Sequence, residues 1–183
     1  EVVPLPAPFT VIIDYAHTPD GLKNILSTVG TFADGRVIAL FGCGGDRDKT
    51  KRPRMARIAA ALADFAVLTS DNPRTEDPYA ILHDAMPGLM ESRTPFAGIE
   101  DRRRAIGFAL SEARSGDVIV LCGKGHETYQ EIGTIKYHLD EREVVRELFA
   151  REQRKEAGPP AGGNEHEDHH RLYSELRGIR DHG

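Results

Sequence analysis

Apolar positions along the chain follow two spacings, and their alternation predicts an α/β protein. Short apolar runs, typical of buried strands, occur at residues 9–15, 36–41, 65–69, 95–99 and 118–122. Apolar residues recur every three or four positions, as in amphipathic helices, at residues 20–29, 52–62, 77–86, 101–113 and 140–150. Residues 128–137 alternate around Gly133, which predicts a hairpin. We therefore predict a doubly wound, Rossmann-like, mostly parallel sheet with helices on both faces.

The two ends of the chain differ in composition from its middle. Residues 1–8 contain three prolines, which favour an extended linker between domains. From residue 151 the chain becomes charged and then rich in proline and glycine, so we predict a polar, disordered tail at 151–183 after one domain at 9–150. Three histidines at 166–170 permit a metal site as one interpretation. Because no apolar residues surround them to fix a geometry, we assign the tail no metal and no function.

Charge and cysteine content narrow the classes of function. The 183 residues carry a formal net charge of -5, which gives no general reason to expect nucleic acid or an anionic membrane as a partner. The two cysteines, Cys43 and Cys122, form neither a disulfide framework nor a metal-binding spacing. No apolar stretch approaches the roughly 20 residues that cross a bilayer, and no signal peptide is evident. We expect a cytoplasmic protein.

Polar or glycine-rich loops follow four of the predicted strands. They lie at residues 14–20, 42–49, 70–74 and 123–127. Because the carboxyl ends of parallel strands meet at one edge of a sheet, these loops are expected to line one ligand crevice. The sequence contains no Walker A loop and no dinucleotide-binding glycine pattern, so neither of those phosphate sites is predicted.

The side chains on these loops suit a small zwitterion and a nucleotide. The planar guanidinium of Arg74 matches a carboxylate or phosphate with two parallel hydrogen bonds. Glu127 suits an ammonium group, so that an amino acid would satisfy both residues. Asp14 could accept hydrogen bonds from ribose hydroxyls, while His17 could stack on a base or donate to a phosphate.

Each of these residues also has an ordinary structural explanation. Residues 70–74 can form a solvated turn, and Asp14 can cap the helix that follows it. The glycine-rich loop can be a simple connection between strand and helix, and Lys124 and His126 can be structural. These alternatives stay open at the level of single residues.

Taken together, residues 14–20, 42–53, 70–74 and 123–130 closely resemble the C-terminal domain of the Mur ligases, and the resemblance extends over residues 9–150. In that family the motif Asp-Asn-Pro-Arg recognises meso-diaminopimelate. The resemblance implies that this amino acid is bound by Arg47, Asp71, Asn72, Pro73, Arg74, Gly123 and Glu127. It implies that ATP is faced by Asp14, His17 and Lys49.

The resemblance also implies a reaction in peptidoglycan biosynthesis. In it, ATP phosphorylates the γ-carboxylate of UDP-N-acetylmuramoyl-L-alanyl-D-glutamate, and the amine of meso-diaminopimelate attacks the acyl phosphate to form an amide. The domain at 9–150 would position the amine. The family holds ATP and Mg²⁺ mainly through a central domain and the UDP-sugar through an N-terminal domain. This sequence lacks both, so we expect no catalytic residue and no activity from the chain alone.

Two other functions remain open. The chain could be a detached or decayed module that binds a ligand without catalysis. It could also belong to the related branch that adds glutamate to folates, although the motifs at 71–74 and 123–127 match the peptidoglycan branch more closely.

Overall fold

The computed structural model describes residues 1–156, which form one six-stranded sheet, a small separate hairpin and five helices. The strands are β1 (Val2–Val3), β2 (Thr10–Asp14), β3 (Val37–Cys43), β4 (Phe65–Ser70), β5 (Phe96–Gly98), β6 (Val118–Cys122), β7 (Tyr129–Ile132) and β8 (Ile135–His138). The helices are α1 (Pro19–Gly30), α2 (Lys51–Leu62), α3 (Pro78–Met90), α4 (Arg102–Glu112) and α5 (Glu141–Glu156).

The main sheet has the order β1-β2-β6-β3-β4-β5, and every neighbouring pair is parallel except β1 with β2. Its strands are apolar on both faces because helices cover both. In β2, for example, Ile12 belongs to the apolar core that includes residues of α1, α2 and α3, whereas Val11 and Ile13 belong to the core that includes residues of α4 and α5. Alternate side chains of a strand point to opposite faces, which explains the division. The predicted doubly wound fold is confirmed.

The first residues of the chain pair with the sheet. Val2 lies opposite Ile12 and Val3 opposite Val11, which makes β1 an antiparallel edge strand within the segment predicted as an extended linker. The proline spacing of residues 1–8 indicated an extended backbone but not this pairing, because its partner lies elsewhere in the sequence. Val3 is buried, so the pairing also adds to one apolar core.

Helix α3 continues through Pro87 to Met90, whereas the sequence predicted an end before this proline. A proline inside a helix removes one backbone hydrogen bond. Here the last turn is held by tertiary packing, because Leu89 is fully buried and Gly88 lies against the backbone of α2. Packing therefore outweighs the local effect of proline.

Helix α5 extends at least to Glu156, the last described residue, six residues beyond its predicted end near 150. The residues that follow Ala150 are mostly strong helix formers, and Lys155 Nζ lies 2.9 Å from Glu152 Oε1, one helical turn away. Residues 1–150 form one compact unit, and the described part of the second unit is this helical extension. The rest of the predicted tail, with its histidines, lies outside the described residues. None of the five described helices has the length and apolar character needed to cross a membrane.

A buried arginine links α2 to the segment between β4 and α3. Arg52 is 1% exposed and donates from Nη2 to Glu76 Oε1 at 2.7 Å and from Nη1 to Asp84 Oδ2 at 2.8 Å. Its Nη2 also lies 3.3 Å from Gly44 O in the loop after β3. The hydrogen bond from Arg52 lowers the pKa of Glu76 to about 2. This network therefore stabilises two of the loops that leave the sheet edge.

Two helical glycines provide a matched test of the packing between α2 and α3. A Cβ at Gly88 would lie 2.1 Å from Pro53 O, whereas at Gly30 it would meet nothing within 4 Å. We expect Gly88→Ala to lower the free energy of unfolding by about 1–3 kcal/mol through overpacking. Gly30→Ala should leave it unchanged or raise it by up to about 1 kcal/mol. Urea unfolding of both variants measures the difference, and equal stabilities would contradict this description of the α2–α3 contact.

The Arg52–Glu76 pair predicts a pH-dependent stability. Because the folded-state pKa of Glu76 is depressed to about 2, its contribution is complete above the unfolded pKa near 4.5 and is lost as the pH falls through 2. We expect Glu76→Gln to cost about 3 kcal/mol at pH 7 and progressively less below pH 4.5. The control is Glu91→Gln, which removes a carboxylate from the exposed pair with Arg57 and should have a smaller effect. Urea unfolding at several pH values checks both, and a cost that does not change with pH would refute the assignment.

Candidate functional site

Four loops meet at the carboxyl edge of the sheet, as the sequence predicted. Strands β2, β6, β3 and β4 are consecutive in the sheet and parallel, so the loops that follow them leave from the same side. Backbone hydrogen bonds join the loops in pairs: Gly123 N donates to Asp14 O at 3.0 Å, and Gly45 N donates to Asn72 O at 2.9 Å. The residues proposed from sequence thus occupy one continuous edge.

The buried guanidinium of Arg102 fixes the ends of β4 and β6. It donates from Nη1 to Ser70 O at 3.1 Å and from Nη2 to Cys122 O at 2.8 Å, the last carbonyls of these two strands. Its Nε donates to Glu141 Oε1 at 2.7 Å, and both side chains of this ion pair are 0% exposed. The loops that begin at the next residues therefore start from fixed positions.

The local sequence does not distinguish Arg102 from its neighbours. It lies in a run of three arginines at the start of a helix, which is typical of a solvated surface. The structure buries only the first of them; Arg103 is 44% exposed and pairs with Glu147. The signal that could have distinguished Arg102 is its place at the first position of α4, next to the sheet edge, but that place is known only from the fold.

A third buried cation, Lys124, lies among the proposed ligand-binding residues. Its Nζ donates to Asn72 Oδ1 at 2.7 Å and lies 3.2 Å from Asp71 Oδ1 and 3.4 Å from Glu127 Oε2. Asn72 Nδ2 in turn donates to Glu127 Oε2 at 3.0 Å. The contact with Asp71 is an ion pair without hydrogen-bond alignment, so Asp71 Oδ1 has a charge partner but no hydrogen bond within the described residues. These four residues are named the Lys124 cluster below.

The hairpin of β7 and β8 closes over the turn that contains Asp71 and Asn72. Gln130 Nε2 donates to Asp71 O at 2.7 Å, and Glu131 N donates to Asn72 Oδ1 at 2.9 Å. The predicted hairpin is confirmed, and its contacts show that it supports the site. The sequence alone predicted no site residue on this hairpin.

Arg74 has a backbone conformation that is uncommon for a residue with a side chain. Its φ is 51°, in the left-handed region, and the hairpin holds it there through Arg74 N to Glu131 O at 3.1 Å. Nη1 donates to Gly45 O at 2.8 Å, and Nε lies 3.4 Å from Glu131 Oε2. The side chain is 21% exposed, so a ligand can reach it. Strain of this kind is found at functional sites more often than elsewhere.

The glycine-rich loop after β3 packs closely against the turn after β4. A Cβ at Gly45 would lie 1.8 Å from Pro73 O, so no larger residue fits there. A Cβ at Gly44 would lie 3.1 Å from Arg74 Nη1 and 3.6 Å from Arg47 Cγ, which shows that both arginines border the same space. Gly45 thus allows the two loops to pack closely, in addition to any contact that it makes with an anion.

The predicted nucleotide-facing residues lie in two places, one at the end of β2 and one in the loop after β3. Asp14 Oδ1 accepts from Ala16 N at 2.8 Å, and the helix cap suggested for Asp14 is instead Thr18. His17 is exposed, with its ring centroid 4.6 Å from that of Tyr15. Asp14 and His17 therefore lie together after β2, beside an exposed aromatic ring. The half-buried Asp14 uses only Oδ1 within the described residues, which leaves Oδ2 to accept from a ligand hydroxyl.

Lys49 lies in the loop between β3 and α2. Its exposed ammonium group is 3.4 Å from Glu76 Oε2, in the network of Arg52. The sequence did not predict that Lys49 lies apart from Asp14 and His17, because its partner Glu76 follows Lys49 by many residues.

Neither cysteine is suited to be a nucleophile. Burial raises the pKa of the Cys43 thiol to about 12 and that of Cys122 further still, so both remain protonated. Within residues 1–156, no group of three or more His, Cys, Asp or Glu side chains is arranged to hold a metal ion.

Comparison with known proteins identifies one matching family profile and relatives that share one ligase name. The family profile described as "Mur ligase, glutamate ligase domain" matches residues 1–125. The UDP-N-acetylmuramoyl-L-alanyl-D-glutamate–2,6-diaminopimelate ligase of Gloeobacter violaceus is 57% identical over 141 residues, which cover 77% of this chain and 29% of that protein. The ligase of the same name from Clostridioides difficile is 48% identical over 151 residues, covering 82% of this chain and 31% of that protein.

A solved structure of a ligase of that name has a TM-score of 0.79 to this chain at 42% identity, covering 84% of this chain and 31% of the other. The chain spans less than a third of the length of these relatives. Since the family profile matches more than half of the sequence, this chain belongs to the Mur ligase family.

Proposed function

We propose that residues 9–150 are the amino-acid-binding domain of an ATP-dependent ligase that adds meso-diaminopimelate to UDP-N-acetylmuramoyl-L-alanyl-D-glutamate in peptidoglycan biosynthesis. The observation that supports this most directly is the placement of Arg74 beside the Lys124 cluster at the sheet edge. The relatives that are 48–57% identical are named for this activity, which supports the same function. The site belongs to a cytoplasmic enzyme in this proposal.

The charges of the site fit an amino acid with two charged ends. Arg74 binds the distal carboxylate of diaminopimelate, with Arg47 as a second cation on the same side. Glu127 accepts a hydrogen bond from an ammonium group, while Asp71 adds negative charge and Asn72 holds Glu127 in place. Lysine has no distal carboxylate, so it would give the Arg74 guanidinium no substrate anion to bind. Gly123 and Pro73 contribute through their backbone, which brings the loops close to the ligand.

Nucleotide binding is proposed for the group after β2. Asp14 accepts from the ribose hydroxyls of ATP, and His17 lies against the base or phosphates. Lys49, with its exposed side chain, is proposed to reach the phosphates. ATP and Mg²⁺ would be held mainly by the part of the ligase that matches no residue of this chain, and ATP supplies the phosphoryl group that activates the D-glutamyl carboxylate.

The contribution of this domain to the reaction is positioning. It holds the amino acid by both ends, so that the attacking amine has one orientation toward the activated carboxylate of the UDP-linked substrate. Holding two reactants in such a geometry removes a large part of the entropic barrier of a bimolecular reaction. No residue of the chain is assigned a catalytic role. Residues 1–8 would connect the domain to the rest of the ligase, and residues 151–183 are a polar tail in this proposal.

Selectivity for diaminopimelate over lysine tests the proposed role of Arg74. The assay uses a chimeric ligase in which this 183-residue chain replaces the segment that it matches in the Gloeobacter violaceus ligase. We expect Arg74→Ala to lower kcat/KM for diaminopimelate by about tenfold to a hundredfold, because a charge-assisted bidentate contact is lost. Activity with lysine should change little.

The matched control is Arg57→Ala, which removes an arginine whose partner is Glu91 on the surface of α2 and α3. It should leave both substrates unaffected. An unmodified chimaera that uses lysine as well as diaminopimelate would refute the proposed function, and an unchanged selectivity in Arg74→Ala would refute the role of this arginine.

A pair of aspartates tests the nucleotide assignment. In the same chimaera, Asp14→Asn should raise the KM for ATP by about tenfold, since a hydrogen bond to a charged acceptor is weakened. The KM for diaminopimelate should stay constant. Asp20→Asn, in the exposed first turn of α1, is the control and should alter neither value. Equal effects of the two substitutions on the KM for ATP would contradict the assignment.

A further inference from the structure

We propose that Lys124 is a positioning residue of the amino-acid site, and that it orients Glu127, directly and through Asn72, toward the ammonium end of the substrate. This inference rests on the proposed function, because the substrate end is defined there. Lys124 itself does not touch the substrate: its side chain is 0% exposed, so its ammonium group is available only to its protein neighbours.

The contacts of Lys124 connect the residues around the proposed ammonium site to one another. Nζ lies within 3.4 Å of a side-chain oxygen of Asp71, Asn72 and Glu127. These residues come from two different loops, one after β4 and one after β6. Lys124 is therefore the shared partner through which the two loops hold a common geometry.

Lys124 also determines which way the Asn72 amide points. Asn72 Oδ1 accepts from Lys124 Nζ at 2.7 Å and from Glu131 N at 2.9 Å. Because two donors occupy the oxygen, Nδ2 is directed at Glu127 Oε2, 3.0 Å away. Without Lys124, one of the two donors that specify this orientation is lost.

The result for Glu127 is a carboxylate with one oxygen held and one oxygen open. Oε2 is held by Asn72 Nδ2 and faces Lys124 Nζ. Oε1 has no hydrogen-bond donor among the described residues, and the side chain is 15% exposed. Oε1 is thus placed to accept from a substrate ammonium group.

The charge of the cluster fits the same ligand. Two carboxylates, Asp71 and Glu127, surround one ammonium group, so the cluster carries a net charge of -1 before a ligand binds. Arrival of the substrate ammonium brings the sum to zero, which favours a cation over a neutral group in this partly buried place. Without Lys124, the two carboxylates would repel each other and their positions would change.

If Lys124 contributed only to folding, its replacement would change the kinetic constants differently from the loss of a positioning residue. Loss of stability alone lowers the fraction of active enzyme, so it lowers kcat and leaves each KM unchanged. Loss of orientation weakens binding of the amino acid and raises its KM, while the KM for ATP stays constant. The two explanations are therefore separable in one experiment.

The test is Lys124→Met in the chimeric ligase defined above. We expect the KM for diaminopimelate to rise by about tenfold to a hundredfold, with the KM for ATP unchanged. Because Arg74 is intact, the preference for diaminopimelate over lysine should persist. The matched control is Lys136→Met: this lysine also lies over the Tyr129 ring, 4.0 Å from its centroid against 5.9 Å for Lys124, but it has no contact with Asp71, Asn72 or Glu127. Its KM values should equal those of the unmodified chimaera.

A double-mutant cycle with Glu127→Gln supplies the second measurement. If Lys124 acts through Glu127, the effect of Glu127→Gln on the KM should be much smaller in the Lys124→Met background than alone. If Lys124→Met does not fold, Lys124→Arg replaces it. Arginine keeps the charge but presents a planar fork instead of a compact ammonium group, so the KM for diaminopimelate should still rise.

Three results would overturn the inference. The first is a lower kcat with an unchanged KM for diaminopimelate in Lys124→Met, and the second is additivity in the cycle. The third is a wild-type KM in Lys124→Arg. An unmodified chimaera that does not prefer diaminopimelate to lysine would instead overturn the proposed function, and with it the substrate end assigned here. A selective chimaera that is insensitive to Lys124 would overturn only the role of this lysine.

Discussion

The candidate site depends on one buried guanidinium, that of Arg102, which joins the last carbonyls of β4 and β6. A charge without access to water is strongly destabilising unless it is paired and its hydrogen bonds are satisfied. Glu141, at the start of α5, supplies the opposite charge, and the strand ends supply the acceptors. Two strands and two helices are thereby fixed at one point of the sheet edge. The two loops that follow β4 and β6, which carry Arg74 and the Lys124 cluster, begin from that point.

The cations of this edge form a series from buried to exposed, and their roles follow the series. Arg102 and Lys124 have no exposed side-chain surface and contact only protein groups, so they can set geometry but cannot meet a ligand. Arg74 is partly exposed and is held by backbone contacts in a strained conformation, which suits a residue that binds a ligand anion. Arg47 is exposed, and its one side-chain hydrogen bond among the described residues is to Asp46 O at 3.0 Å, which suits a residue that adds charge near the ligand.

Sequence reasoning succeeded where the signal was local. The strands, their helices and the weak strand β5 follow from apolar spacing, and the loop residues follow from turn chemistry. It failed where a distant partner decides the outcome. Pro87 indicates a helix end, but packing of Leu89 and Gly88 extends α3. The three arginines at the start of α4 cannot be distinguished by local sequence, although only the first is buried. Their environments differ because Arg102 faces the sheet, and the sheet is built from segments far away in the chain.

By itself, the sequence determined the order and type of the elements from β2 onward, the fold class and the chemical kinds of residue at the carboxyl edge, because periodicity and turn chemistry are properties of neighbouring positions. Its motifs also sufficed to identify the family. Only the tertiary structure decided which charges are buried and which partners neutralise them. In the folded chain, Lys124 lies at the centre of the cluster named for it. Lys49 pairs with Glu76, in a different loop contact from that of Asp14. The physical reason is that burial and ion pairing depend on groups from separate segments, and the distances between those groups exist only once the sheet has formed.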